Sequence, residues 1–224
     1  MDVAAISDKV LASERITPSE ALFLHDHADL ATLALLADEV RQRKHPEGIV
    51  TYIIDRNLNP TNICVTDCTF CSFYAKPQDK EKGYVLSRDD IYSRVEETLA
   101  LGGVQILLQN GHHPTMGVEW FEELFRDLMA RYPQLHLHAM SPPEIHHLSK
   151  VSKCTTLEVL QRLQCAGMAS MPGGGAEILT EGVREKIAPR KATTEDWLRI
   201  MEEAHSLGMK TTATMMFGHL ESGA

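Results

Sequence analysis

The chain of 224 residues lacks the features that would direct it to a membrane, to the cell exterior or to nucleic acid. No run approaches the roughly 18 apolar residues of a membrane span. The first residues show no basic stretch followed by an apolar core, so no signal peptide is predicted. Acidic residues outnumber basic ones by 31 to 22, giving a formal charge of −9. This charge argues against nucleic acid as the main partner.

Cysteine is scarce as well. The chain has five cysteines, an odd number that does not suit a disulfide framework. No second C-x2-C or H-x3-H follows at the spacing of a zinc finger, which counts against structural zinc. Reduced cysteines, together with the missing membrane and signal segments, predict a cytoplasmic protein. At this length we expect one domain with a large core.

The most informative feature that is present is a cysteine triplet. Cys64, Cys68 and Cys71 stand in a C-x3-C-x2-C spacing. A cubane iron–sulfur cluster takes four thiolates, so three leave one iron open to a ligand that is not protein, as in catalytic rather than structural metal sites. An iron–sulfur cluster is the leading interpretation, with zinc and unliganded thiols as alternatives. Cys154 and Cys165 lie in helical patterns and are interpreted as small buried apolar residues.

The pattern of apolar residues predicts an N-terminal helical segment, 1–46, packed on an α/β domain, 47–224. In the second part, stretches typical of strands alternate with stretches typical of helices. The predicted strands are residues 50–54, 104–108, 135–139, about 168–171 and 210–217. This order predicts either a (β/α) barrel or a doubly wound parallel sheet. The candidate functional loops all follow strand ends, which favours the barrel.

The triplet, with the aromatic residue Phe70 before its last cysteine, resembles that of the radical S-adenosylmethionine (SAM) enzymes. The resemblance implies a partial, TIM-like barrel of six β–α units. This sequence supplies about five and stops after a strand, so we expect a chain truncated before the last unit. The resemblance also implies two cofactors. A [4Fe-4S] cluster is held by the cysteines, and its open iron is chelated by SAM, whose reductive cleavage releases a 5′-deoxyadenosyl radical.

Within that family, several segments resemble the enzymes of the futalosine route to menaquinone. Residues 52–57, 141–145 and 211–216 fit the cyclase of that route, whereas 59–64 is closer to its sister transferase. The cyclase reaction is hydrogen abstraction from the ribose 4′ carbon of dehypoxanthine futalosine. The carbon radical adds to the benzoate ring, and loss of an electron and a proton restores aromaticity. The alternative is radical transfer of the adenosyl group to an enol ether. Either reaction implies a small-molecule substrate and an electron donor such as flavodoxin or ferredoxin, with no nucleic-acid or membrane partner.

Several residues near the triplet and in a glycine-rich run are candidates for cofactor binding. Phe70 and Tyr74 offer aromatic surface that can shield a cluster and stack on a ligand. Gly173 and Gly174 let backbone amides approach a ligand closely, and Glu177 would accept hydrogen bonds from ribose hydroxyls or the methionine ammonium. The alternative is a plain glycine turn whose glutamate caps the next helix.

Two further cofactor candidates depend on the resemblance. Gln109 precedes residues 110–113, where related enzymes carry a glycine pair that holds the methionine amino group and this chain has Asn-Gly-His-His. Gly218 follows the fifth predicted strand, where related enzymes contact the adenine. An ordinary strand-to-helix turn explains Gly218 equally well.

The remaining candidates are catalytic or bind substrate. His136 and His138 alternate with leucines and therefore share one strand face. If the leucines pack on helices, the histidines line the barrel interior, where one could remove the proton at rearomatisation; buried structural histidines are the alternative. Asp55 and Arg56 end the first predicted strand and could reach substrate. Arg56 suits a carboxylate such as benzoate, and a structural Asp–Arg pair is the competing interpretation.

Overall fold

The computed structural model describes residues 1–222, which fall into two compact units. One unit comprises residues 1–52 and the described residues from 219 onward, and the other comprises residues 53–218. The division predicted from the sequence, 1–46 and 47–224, stays a prediction. Residues 223 and 224 of its second part lie outside the described residues.

The first unit is helical. Its helices are α1 (Val3–Leu11), α2 (Pro18–His27) and α3 (Leu30–Lys44). Thr17 begins α2 with a complete capping box that includes Glu20, and the same carboxylate pairs with Lys9 of α1 at 2.9 Å. These contacts tie the start of α2 to α1. In the described part of the chain, no helix has the length and apolar character that crossing a bilayer requires.

The second unit is built on a parallel sheet, with five strands among the described residues. They are β1 (Asp55–Leu58), β2 (Gln105–Leu108), β3 (His136–Ala139), β4 (Ser170–Met171) and β5 (Lys210–Thr211). The helices are α4 (Arg88–Ala100), α5 (Val118–Arg131), α6 (Pro142–Ser152), α7 (Thr156–Ala166), α8 (Arg184–Ile187) and α9 (Thr194–Ser206). The strand order is β1-β2-β3-β4-β5, and every neighbouring pair is parallel. A sequential order has no point where the strand order reverses, so it excludes the doubly wound sheet and supports the partial barrel.

Alternating burial divides the central strands into two faces. Ile106, Leu108, Leu137 and Ala139 are fully buried and belong to the main hydrophobic core. The residues between them are half-buried or exposed, and successive strand side chains point to opposite faces. We call the face formed by these intervening residues the lumen face; it carries Gln105, Leu107, His136 and His138.

Three elements differ from the sequence-based expectation. Residues 50–54 do not form a strand, and Val50 and Tyr52 are exposed, while β1 begins at Asp55. The last predicted strand, 210–217, is limited to two residues, and α8 was not predicted. Composition gives β-branched segments their strand propensity, but pairing with a neighbour decides which residues form the ladder. The partner of β5 is β4, which is itself only two residues long.

Candidate functional site

Loops at the carboxyl ends of the parallel strands enclose a cavity of about 480 Å³. Its walls come from the segment after β1, the loops after β2 and β3, and the turn after β4. Barrel enzymes place their active sites at this end of the strands. The sequence-predicted residues in its lining are Cys64, Cys68, Phe70, Cys71, Tyr74, Gln109, Gly174 and Glu177.

The cysteine triplet forms one wall of this cavity. Cys68 is buried, Cys64 and Cys71 are partly exposed, and all three are free thiols. Within residues 1–222, no group of three or more His, Cys, Asp or Glu side chains converges tightly enough to hold a single metal ion. The thiolates of an iron–sulfur cluster bind its irons and surround a larger body than one ion. Three free thiols around one cavity therefore fit a cluster better than zinc.

Contacts from several segments hold the cysteine loop in place. The amide of Cys64 donates to the Ala75 carbonyl at 2.9 Å, and the amide of Thr69 donates to the Ile187 carbonyl at 2.9 Å. The carboxylate of Asp67 accepts a hydrogen bond from Arg190 at 2.7 Å. These contacts supply the partners that the backbone of an irregular loop does not provide for itself.

Burial disfavours the ionised form of the thiol in the middle of the triplet. Burial raises the pKa of the Cys68 thiol, Lys191 opposes the rise, and the neighbouring thiols Cys64 and Cys71 add to it. A thiol with a raised pKa stays protonated at neutral pH, so metal binding must release its proton. The positive charge of a metal centre would stabilise the thiolate form.

Glu177 forms an ion pair in the cavity wall with Lys191, a residue that sequence reasoning missed. Nζ of Lys191 lies 2.7 Å from Oε1 of Glu177, and the two side chains are only 13% and 16% exposed. The same nitrogen lies 5.5 Å from the centroid of the Phe70 ring, a cation–π contact. Lys191 follows α8, and no motif in the sequence marks it.

The glycine turn after β4 approaches its neighbours so closely that it has no room for side chains. A Cβ on Gly173 would lie 2.1 Å from the Thr212 carbonyl oxygen, and one on Gly174 would lie 2.3 Å from Nε2 of Gln109. The buried Arg184 donates to the carbonyl of Gly175 at 3.0 Å and so fixes the turn. Gly174 and Gly175 line the cavity, whereas Gly173 lies behind them.

Glu144 is a buried carboxylate that joins α6 to the loop after β2. One oxygen accepts from the amide and the hydroxyl of Ser141 at 2.8 and 2.6 Å. The other accepts from the amide and the side-chain nitrogen of Asn110 at 2.8 and 2.9 Å. Burial raises the pKa of Glu144 to about 6, and these hydrogen bonds limit the rise. Asn110 thus has a structural role in this chain.

His112 also contacts the cysteine loop. Its Nδ1 lies 2.7 Å from the hydroxyl of Thr66, and its carbonyl accepts from the amide of Val65 at 3.1 Å. The ring also stacks on His147 with centroids 4.9 Å apart. Burial lowers the pKa of His112 well below its ordinary value. It is therefore a neutral hydrogen-bonding partner that contacts the cysteine loop at two points.

His136 and His138 lie on the lumen face, outside the lining of the cavity. Nε2 of His136 and Nδ1 of His138 are 2.7 and 2.6 Å from the same hydroxyl, that of Ser170 on β4. Burial lowers the pKa of His138, with His136 acting in the same direction and Asp55 against it. Their catalytic role stays a prediction.

Three other candidates do not line the cavity. Arg56 pairs with Glu97 of α4 at 2.6 Å. Asp55 is the first residue of β1 and accepts a hydrogen bond from Gln105 at 3.1 Å. The expectation that Asp55 and Arg56 lie at the end of the first strand is wrong. The predicted strand ended at residue 54, whereas β1 begins at Asp55. Asp55 and Arg56 lie at the amino end of the strand, outside the cavity lining, and their role in substrate binding stays a prediction. Gly218 has a left-handed φ of 88° and lies outside the cavity lining.

A partial parallel barrel with three free thiols over the carboxyl ends of its strands defines a class of cluster-dependent enzymes. Residues 58–223 match the model of the Radical SAM superfamily, and the chain belongs to this family. Its members use a [4Fe-4S] cluster and SAM, so the family predicted from the triplet is confirmed. The fold agrees with a solved structure, the FeFe-hydrogenase maturase HydG from Carboxydothermus hydrogenoformans. The TM-score is 0.71 at 18% identity, covering 96% of this chain and 48% of that one.

The curated relatives include futalosine enzymes and, at 38% identity over 225 residues, the 5-amino-6-(D-ribitylamino)uracil–L-tyrosine 4-hydroxyphenyl transferase of Methanosphaerula palustris, covering all of this chain and 61% of that protein. The chain is 47% identical over 225 residues to the cyclic dehypoxanthine futalosine synthase of Streptomyces coelicolor, covering all of this chain and 56% of that protein. It is 40% identical over 218 residues to the aminodeoxyfutalosine synthase of Thermus thermophilus, covering 97% of this chain and 58% of that protein. The chain thus spans little more than half the length of these relatives.

Proposed function

We propose that this chain carries the cluster and SAM sites of a radical SAM cyclase that converts dehypoxanthine futalosine to cyclic dehypoxanthine futalosine in menaquinone biosynthesis. The observation that carries the proposal is the set of three free thiols on one cavity, in a chain 47% identical to such a synthase. The thiols support the site, and the identity to the synthase supports the reaction class.

The donor set fits a cluster with one open corner. Cys64, Cys68 and Cys71 would hold it. The other potential donors in the cavity wall already have partners in the described structure. His112 is bonded to Thr66, and Glu177 is paired with Lys191. When bound, the cluster supplies the electron that cleaves SAM to a 5′-deoxyadenosyl radical.

Other residues of the cavity wall provide groups for the remainder of SAM. Lys191 suits the methionine carboxylate, and Glu177 suits the ammonium or the ribose hydroxyls. Gly174 leaves room for close approach of a ligand to the backbone. Phe70 and Tyr74 cover the site with aromatic surface that excludes water. Gln109 and Gly173 would support these walls. Gly218 would lie at the adenine end.

The candidate acid–base groups of the chain are His136 and His138 on the lumen face. His138 is half-buried, and burial lowers its pKa, so it is neutral at pH 7 and can accept a proton. We propose that His138 accepts the proton lost when the benzoate ring regains aromaticity, and that His136 is its partner. We also propose a cytoplasmic location, which suits free thiols, and a flavodoxin or ferredoxin as electron donor.

The second candidate is the transferase reaction of aminodeoxyfutalosine synthase, which the Thermus relative favours. The two differ in the fate of the adenosyl group. After anaerobic reconstitution of the full chain and incubation with SAM, reductant and each substrate, mass spectrometry should find free 5′-deoxyadenosine and a cyclised product. A product that contains the adenosyl group would reject the cyclase in favour of the transferase.

The cluster assignment is tested separately from the reaction. Replacing Cys64, Cys68 or Cys71 with alanine should reduce bound iron from about four atoms per chain to less than about one, with loss of SAM cleavage. Cys165 is an exposed free thiol, so the expectation that it is buried is wrong. Cys165→Ala is therefore the matched control, and it should retain both. Iron retained by a triplet variant would contradict the assignment.

A further inference from the structure

One hydroxyl joins the two lumen histidines. Oγ of Ser170 lies 2.7 Å from Nε2 of His136 and 2.6 Å from Nδ1 of His138. The three residues come from adjacent strands, and His138 is the registered partner of Ser170 in the β3–β4 ladder. Backbone pairing therefore fixes the spacing of the three polar groups.

Solvent exposure increases from His138 to His136. Leu137 and Ala139, on either side of His138, are fully buried in the core and hold β3 in place. His138 is half-buried, whereas His136 is exposed. His138 precedes Ser141, a residue of the cavity wall, by three positions, which is about 10 Å at most along a strand.

The hydroxyl has a single proton, which restricts the hydrogen-bond pattern. Ser170 can donate to one imidazole only and must accept from the other. With Nδ1 of His138 as the donor to Oγ of Ser170, the Ser170 proton is directed at Nε2 of His136. In the described part of the chain, Nε2 of His138 has no hydrogen-bond partner, so its lone pair is open.

We propose that Ser170 is a positioning residue that makes His138 a base at Nε2 and connects it to His136 as a proton relay. A proton taken from substrate forms an N–H bond at Nε2 of His138. The Nδ1 proton moves to Oγ of Ser170 as the Ser170 proton moves to Nε2 of His136. No electrons are transferred, and the positive charge ends on the exposed imidazole, from which solvent removes the proton. The identity of the substrate proton rests on the proposed function. The hydrogen-bond pattern is independent of that function.

The first test therefore needs neither cofactor nor substrate. Nitrogen NMR of the full chain labelled at its histidines, with His138 assigned by a His138→Gln variant, reports which ring nitrogen carries the proton. We expect Nδ1–H in the parent and in Ser170→Thr, which keeps a hydroxyl, and a shift towards Nε2–H in Ser170→Ala. The matched control is Thr211→Ala, which removes the analogous hydroxyl 2.8 Å from Nε2 of His205 and should leave His138 unchanged. Nε2–H on His138 in the parent overturns the proposal.

The second test measures turnover. Ser170→Ala should lower kcat about tenfold, a part of the ~10²–10⁴ that a general base contributes, with KM unchanged, and Ser170→Thr should restore most of the loss. An unchanged kcat in Ser170→Ala, or an equal loss in Ser170→Thr, overturns the relay. If the parent shows the Nδ1–H tautomer yet turns over no futalosine substrate, the proposed function fails while the hydrogen-bond pattern stands.

Discussion

At the scale of single residues, the charge distribution in the cavity depends on Lys191. Among the described lining residues it is the one cation at neutral pH, because burial keeps His112 neutral. Its ammonium has a carboxylate partner in Glu177 and an aromatic face in Phe70. This arrangement fixes its position and leaves a compact positive charge beside the thiols.

We predict that Lys191→Met weakens SAM binding about thirtyfold, because a hydrogen bond to a charged group contributes about 2 kcal/mol. Calorimetric titration of the cluster-loaded chain with SAM measures the change. Lys186→Met is the control, since Lys186 is an exposed lysine on α8. Binding within twofold of the parent in Lys191→Met would remove Lys191 from the site.

At the scale of secondary-structure elements, the turn after β4 contains two neighbouring glycines with different roles. Gly173 is structural, whereas Gly174 shapes the cavity. We predict that Gly173→Ala lowers the free energy of unfolding by about 3 kcal/mol, because its Cβ would meet a backbone carbonyl that cannot move alone. Gly174→Ala would instead meet the end of the flexible Gln109 side chain. We expect it to cost about 1 kcal/mol or less and to weaken SAM binding. Urea denaturation of both variants tests the contrast, and equal costs would refute it.

A second prediction concerns the packing of α5 against α7. Arg162 of α7 donates to Glu122 at 2.6 Å and to Glu119 at 3.0 Å, both on α5. Arg162→Met should lower the free energy of unfolding by about 2 kcal/mol. Arg126→Met removes a longer and more exposed contact to the same Glu122 and should cost about 0.5 kcal/mol or less.

The effect of Arg162 should also depend on pH. The hydrogen bond from Arg162 lowers the pKa of Glu122 below its ordinary 4.5. A lowered pKa means that the ionised form is favoured in the folded state, so this stabilisation is present above pH 4.5 and lost as the pH falls through the lowered pKa. Denaturation curves of the parent and Arg162→Met should therefore converge below pH 4. A difference that stays constant between pH 7 and pH 3 would argue against the ion pair.

At the scale of the whole molecule, stability should be graded across the sheet. β2 and β3 pair over four residues with Ile106, Leu108 and Leu137 fully buried, whereas β4 and β5 pair over two. Local opening needs least free energy where few buried contacts are lost. We predict that hydrogen exchange followed by mass spectrometry finds the slowest amides in β2 and β3 and much faster ones in β5. Equal protection of β2 and β5 would contradict this gradient.

The sequence by itself determined the parts that depend on neighbours within a few residues. Capping boxes at Ser87, Thr155 and Thr193 begin helices, and each depends on hydrogen bonds between residues only three apart. The parallel sheet followed from the alternation of elements, and the family followed from the cysteine spacing.

Only the tertiary structure decided which distant residues share the cavity. Thr69 is bonded to Ile187, 118 positions away, and Arg190 to Asp67, 123 positions away. These contacts place Lys191 beside the thiols, although no local pattern marks it. Likewise, register and not composition put Arg56 against α4 and brought Ser170 between two histidines. Backbone pairing and packing of remote segments set these positions, and a sequence pattern read over a few residues contains neither.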